Sequence, residues 1–98
     1  MTESRIKDAI IRFLRANGIF CWRAGAGPYA PAGVPDILGV LPESGRSLGI
    51  EVKRAATRTR VTPLQQKWIG DMRTAGALAF VATSVEDVRN ELQGAGYL

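Results

Sequence analysis

The sequence contains no histidine. That absence excludes histidine-based acid–base catalysis, Ser-His-Asp triads and most zinc sites. It contains one cysteine, Cys21, so no intrachain disulfide can form and a reducing compartment is expected. No apolar run approaches the roughly 20 residues that a membrane span needs. The start, Met1 to Arg5, does not lead into the uninterrupted apolar stretch of a secretory leader. These absences together predict a cytoplasmic protein with no membrane partner.

What remains is small and basic. The 98 residues suit a single domain over 1–98. A domain of this size buries a modest share of its surface, and dimerisation is a natural way to bury more. Apolar residues make up 46% of the chain, which argues against disorder. Lys and Arg number 13 against 9 for Asp and Glu, and the net charge of +4 suits a nucleic-acid partner. Charge alone also describes an ordinary basic surface.

Apolar spacing divides the chain into elements. Ile6, Ala9, Ile10, Phe13 and Leu14 share one face of a helix expected from Thr2 to Asn17, which Gly18 stops. Ile19 to Trp22 reads as a short strand. Ala24 to Gly33, rich in Gly, Ala and Pro, reads as a loop. Ile37 to Leu41 and Leu48 to Lys53 read as a hairpin, with turn chemistry between them. Thr62 is a good N-cap and Pro63 a good first residue for a second helix carrying Leu64, Trp68, Ile69 and Met72, ended by Gly76. Ala77 to Ala82 is nearly all apolar, as a buried strand would be. Ser84 caps a last helix with Val85, Val88 and Leu92. The order is α-β-β-β-α-β-α, a central mixed sheet flanked by helices in an α/β fold.

The chemistry concentrates in Pro35-Asp36 and Glu51-Val52-Lys53. Side chains alternate along a strand, so Glu51 and Lys53 share a face. With Glu43 to Arg46 as the turn, Asp36 lies across from Lys53 and diagonal to Glu51, and the three polar groups converge. Two carboxylates and a backbone carbonyl are hard oxygen ligands suited to Mg²⁺ or Mn²⁺. Such an ion polarises a phosphate and acidifies a bound water, while Lys53 is placed to orient the attacking water and stabilise charge on phosphorus. The plainer reading is an exposed Glu–Lys pair beside a turn aspartate.

Glu3 leads the apolar stripe of the first helix, and Gln65 leads that of the second. Each has a modest alternative, as a first-turn carboxylate and a capping-region amide respectively. Arg54, Arg58 and Arg60 directly follow the Glu-Val-Lys strand, and Arg23, Lys67 and Arg73 extend a possible phosphate track. Tyr29 is placed to stack on a base, although a plain surface aromatic explains it as well.

Gly33-Val34-Pro35-Asp36, Gly49-Ile50-Glu51-Val52-Lys53 and Thr62-Pro63-Leu64-Gln65 with Trp68 together resemble the stand-alone VRR-NUC domain. That family is a branch of the PD-(D/E)xK nucleases and is similar to archaeal-type Holliday junction resolvases. The resemblance extends from Glu3 and Ile6, through Trp22-Arg23, over nearly the whole chain. It implies a restriction-endonuclease-like core. It implies Asp36 and Glu51 as metal ligands with the Val52 carbonyl, Lys53 as the catalytic lysine, and Glu3 and Gln65 as supporting catalytic-site residues. It further implies a homodimeric Mg²⁺- or Mn²⁺-dependent endonuclease, found in phages and bacteria, that cuts branched DNA such as four-way junctions. A flap or duplex nuclease of the same fold, and a non-catalytic DNA-binding module, are the rival readings. The intact Asp36, Glu51 and Lys53 weigh against the last.

Overall fold

The computed structural model describes residues 1–25 and 27–98. Ala26, inside the loop expected over Ala24 to Gly33, lies outside the described residues. Helix α1 covers Glu3–Ala16. The Thr2 hydroxyl accepts the Arg5 N–H and caps it. Ile6, Ile10, Ile11 and Leu14 are buried along one side. Full burial of side chains such as Ile10 and Leu14 stabilises by about 1.5–3 kcal/mol each. At the far end the Asn17 side chain donates to the Phe13 carbonyl, and Gly18 turns the chain at φ 74°.

Strands β1 (Phe20–Arg23), β2 (Ile37–Val40) and β3 (Ser47–Val52) form an antiparallel meander. Helix α2 (Pro63–Thr74) then carries the chain to β4 (Leu78–Ala82), which lies parallel to β3. The sheet order is β1-β2-β3-β4, the expected mixed sheet. Helix α3 (Val85–Gly94) closes the chain. A single 3₁₀ turn at Ala55–Thr57 interrupts the polar segment after β3, which the apolar pattern could not show.

The hairpin register corrects the sequence expectation. The four-residue loop is Pro42 to Gly45, not Glu43 to Arg46, and the Leu41 N–H donates to the Arg46 carbonyl at 2.8 Å. Ile37 faces Ile50, so one step outward Asp36 comes beside Glu51 rather than Lys53. The shift is two residues, a full period of the strand, so every side chain keeps its face. Turn chemistry makes the difference. Glu43 and Gly45 both adopt positive φ, at 66° and 70°, and the Gly45 N–H reaches back to the Leu41 carbonyl.

Leu48, Ile50 and Val52 point with Ile37 and Cys21 into the main core, where α1 and α3 pack. The other face receives α2. Gly49 lies under Met72, and a Cβ there would stand 2.7 Å from the Met72 methyl carbon. α2 covers β3 and β4. The β1–β2 half of that face keeps Phe20, Trp22 and Val40 exposed, with the two aromatic rings edge to face at 5.6 Å. Among the described residues, no helix is long and apolar enough to cross a membrane.

Candidate active site

The last residues of β3 are held on both sides. Glu51 and Val52 pair with Val81 and Ala82 of β4, and the Lys53 N–H extends the ladder to the Ala82 carbonyl. Glu51 lies between the fully buried Ile50 and Val52 and is itself 3% exposed. Among the described residues it is the buried charged one. Such a group needs partners or a counter-charge.

Asp36 supplies the second carboxylate. Its own carbonyl accepts the Ala24 N–H, and buried Pro35 precedes it, so its backbone is fixed before the side chain leaves. Asp36 Oδ2 accepts the Val52 N–H at 2.8 Å. Asp36 Oδ1 stands 3.3 Å from Lys7 Nζ. Asp36 stands beside Glu51 across the β2–β3 pairing, one step beyond Ile37 and Ile50.

Gln65 completes the other side. Thr62 and Gln65 form a reciprocal capping box at the start of α2. The Gln65 carbonyl oxygen accepts the Thr62 N–H, which turns its amide nitrogen to donate to Glu51 Oε1 at 3.1 Å. The cap and the site thus use one side chain. Lys53 Nζ lies 3.9 Å from the same Glu51 oxygen.

Four of the five expected catalytic residues therefore meet: Asp36, Glu51, Lys53 and Gln65. Glu3 does not join them. It is exposed on the first turn of α1, and its side chain makes no hydrogen bond or ion pair among the described residues. Its expected place on the buried stripe is corrected: that stripe begins at Ile6, and Glu3 overhangs the core. Sequence reasoning missed Lys7. The available signal was its position four residues after Glu3, on the same helix stripe.

Electrostatics mark the cluster as unusual. Burial and then the charge of Asp36 push the Glu51 carboxyl up to about 8, and Lys53 and Lys7 offset this only in part. The donor set fits a hard divalent ion. Two carboxylates converge, the Val52 carbonyl is close in sequence, and all are oxygen ligands. Among the described residues, no three Asp, Glu, Cys or His side chains gather into a fuller cage. Mg²⁺ commonly makes do with one or two carboxylates, completing its shell with water and phosphate.

The expected phosphate contacts divide. Arg54 and Arg60 are exposed and make no ion pair among the described residues. Arg58 pairs with Asp87 at 3.6 Å, and Lys67 with Asp71 at 2.7 Å. Arg23 pairs with Asp8 and donates to the Ser4 carbonyl. Arg73 donates to the Ala79 carbonyl at 2.7 Å, which ties α2 to β4 and gives it a structural task in place of a phosphate contact. Tyr29 is 96% exposed. A surface hollow of about 610 Å³ lies elsewhere, lined by Asp8, Ile11, Arg12, Arg15 and Arg23. Its lining holds a single carboxylate, Asp8, where the cluster brings Asp36 and Glu51 together.

Comparison with known proteins shows the family and the fold. The family model of the VRR-NUC domain matches residues 3–86, which include every residue of the cluster. A solved structure described as a VRR_NUC domain superposes with a TM-score of 0.73 at 26% identity, covering 93% of this chain and 94% of that one. No curated protein matches.

Proposed function

The chain belongs to the VRR-NUC domain family, a nuclease-type domain, and from that premise we propose that it is a Mg²⁺- or Mn²⁺-dependent endonuclease that hydrolyses DNA phosphodiesters, with branched DNA as its preferred substrate. The observation that carries the reading is the convergence of Asp36 on the buried Glu51, with Lys53 and Gln65 both directed at one Glu51 oxygen.

Asp36 and Glu51 would hold the divalent ion, with the Val52 carbonyl beside them. When bound, the ion polarises the scissile phosphate and lowers the pKa of a coordinated water. The protein's part is positioning. The Val52 N–H fixes Asp36 Oδ2, and Oδ1 lies beside Lys7. Gln65 holds one Glu51 oxygen, so that carboxylate cannot swing. Lys53 is held short of a tight pair with Glu51, free to orient the attacking water and to stabilise charge on the phosphorus. Arg54 and Arg60 supply phosphate contacts, which give affinity without sequence readout. Glu3, one helical turn from Lys7, supports the site once DNA and metal are present.

Dimerisation is part of the proposal. The uncovered half of the sheet, with Phe20, Trp22 and Val40, is an apolar face for a second copy, and two copies place two active sites on a symmetric junction. A cytoplasmic setting, in a bacterium or a phage-infected cell, belongs to the same reading. The test is direct. The protein is incubated with Mg²⁺ or Mn²⁺ and four-way junction, flap, single-strand and duplex DNA. Metal-dependent cutting that is strongest on the junction is expected. Binding without cutting of any substrate would overturn the enzymatic reading in favour of a binding module.

A further inference from the structure

Lys7 is the group in the cluster that neither the strand motif nor the capping box explains. It comes from α1, on the far side of the sheet from Gln65, and its side chain is 23% exposed. Its ammonium lies against Asp36 Oδ1, the oxygen that the Val52 N–H leaves free. Oδ2 already accepts one N–H, so Oδ1 has the more open lone pairs, and a cation ligated there meets the Lys7 ammonium. An ammonium and a divalent ion cannot both press on it, because like charges at such separations repel strongly in a partly buried site. Lys53 does not face this conflict to the same degree: it approaches the other carboxylate, and only to 3.9 Å.

We propose that Lys7 is a resident counter-cation, a positioning residue that occupies the divalent-ion position at Asp36 in the metal-free protein and withdraws from it on loading. The inference rests on the metal-dependent reading above and deepens it. The four-carbon stem of lysine is flexible enough for the withdrawal, and its partial exposure gives it an open path to solvent. The free protein thereby avoids two bare carboxylates in one buried place. The cost is competition: every ion that binds must displace the ammonium.

The test is Mn²⁺ binding to the DNA-free protein, followed by calorimetry and by the electron paramagnetic resonance signal of free Mn²⁺. Lys7→Met keeps the stem and removes the charge. It should bind Mn²⁺ about two- to fivefold more tightly than wild type, the scale set by losing a partly exposed ion pair. Lys7→Gln should do the same, while Lys7→Arg, which keeps the charge, should stay near wild type. Mn²⁺ should also raise the melting temperature of Lys7→Met by more than that of wild type. A merely structural lysine would loosen binding when removed. Unchanged or weaker Mn²⁺ binding by folded Lys7→Met and Lys7→Gln would therefore overturn the inference while leaving the metal site standing. No Mn²⁺ uptake by wild type or any variant would instead overturn the metal-dependent reading itself, and this inference with it.

Discussion

Two carboxylates sit near the C-terminal ends of neighbouring parallel strands, and the fold treats them in opposite ways. Asp87, in the first turn of α3, is answered at every point. Its Oδ2 accepts the Thr83 N–H and the Thr83 hydroxyl, each at 2.7 Å, and Arg58 stands 3.6 Å away. Burial alone would raise its pKa, yet the Thr83 hydrogen bonds and Arg58 outweigh burial and hold it below the ordinary value. Glu51, on β3, is buried against a second carboxylate with two lysines at the margins, and its pKa rises to about 8. The first arrangement is what a helix N-terminus asks of an acid. The second stores repulsion that a cation would relieve. The contrast separates structural acids from functional ones by their surroundings rather than by residue type.

The largest effects expected from this contrast are on cleavage. Asp36→Ala should reduce single-turnover cutting by about a thousandfold or more, roughly 4 kcal/mol of transition-state stabilisation, while junction binding changes little. Lys53→Ala should act on the chemical step and leave Mn²⁺ binding largely intact. Asp87→Ala should leave the cleavage rate within a few-fold of wild type at a temperature where it is folded. Equal losses in Asp36→Ala and Asp87→Ala would erase the distinction between the two carboxylates.

Stability should move the other way, by smaller amounts. Asp87→Ala loses two hydrogen bonds to Thr83 and a helix-end charge, and should cost about 1–2 kcal/mol. For a domain of this size that lowers the melting temperature by about 4–8 °C per kcal/mol. Glu51→Gln keeps shape and keeps an acceptor for Gln65, but removes the buried charge. With chelator present it should stabilise the protein at pH 8 and above, by about 2 kcal/mol. A Glu51→Gln variant less stable than wild type under those conditions would show that the pair is not repulsive.

The pH dependence of metal-free stability should carry both signatures, with opposite signs. Glu51 has a folded pKa above its unfolded value of 4.5. Its stabilising contribution is therefore complete below that value and is lost as pH rises towards about 8. Asp87 has a lowered folded pKa, so its contribution is present above its unfolded value of 3.8 and is lost as pH falls through the folded pKa. Urea midpoints measured in chelator should thus decline from about pH 5 to pH 9 in wild type and flatten in Glu51→Gln. Asp87→Asn should flatten the acid limb and leave the alkaline one unchanged.

Ser84 was legible as a helix cap, though the role of Asp87 behind it was not read, and Glu51 and Lys53 were legible as one face of a strand. Strand alternation has period two, so it assigned faces but could not choose between hairpin registers two residues apart. Positive φ at Glu43 made that choice, and glutamate rarely advertises such a conformation. Lys7 escaped because a lysine beside an apolar helix stripe reads as a solvated charge, and only the tertiary approach of α1 to Asp36 turns it inward. Glu3 erred in the other direction. Helical spacing aligned it with the apolar stripe, but a first-turn side chain can extend past the core it is aligned with. Gln65 was found by both routes, because capping chemistry and burial needed the same amide.

The smallest predicted effect concerns the arginines, where the same contrast recurs. Arg58 already serves Asp87, whereas Arg54 and Arg60 have no acidic partner among the described residues. A cation free of internal partners releases counterions when it meets a phosphate, so each such contact adds close to one to the slope of log affinity against log salt. Arg54→Ala and Arg60→Ala should each lower that slope by about one and weaken binding alike for every DNA sequence. Arg58→Ala should alter the slope less and instead lower the melting temperature slightly, since its exposed pair with Asp87 contributes well under about 1 kcal/mol. If Arg58→Ala changed the salt slope as much as Arg60→Ala, its pairing with Asp87 would have to break on DNA binding. The cap of α3 would then be coupled to the substrate, and the division between structural and functional charge would run through Asp87 itself.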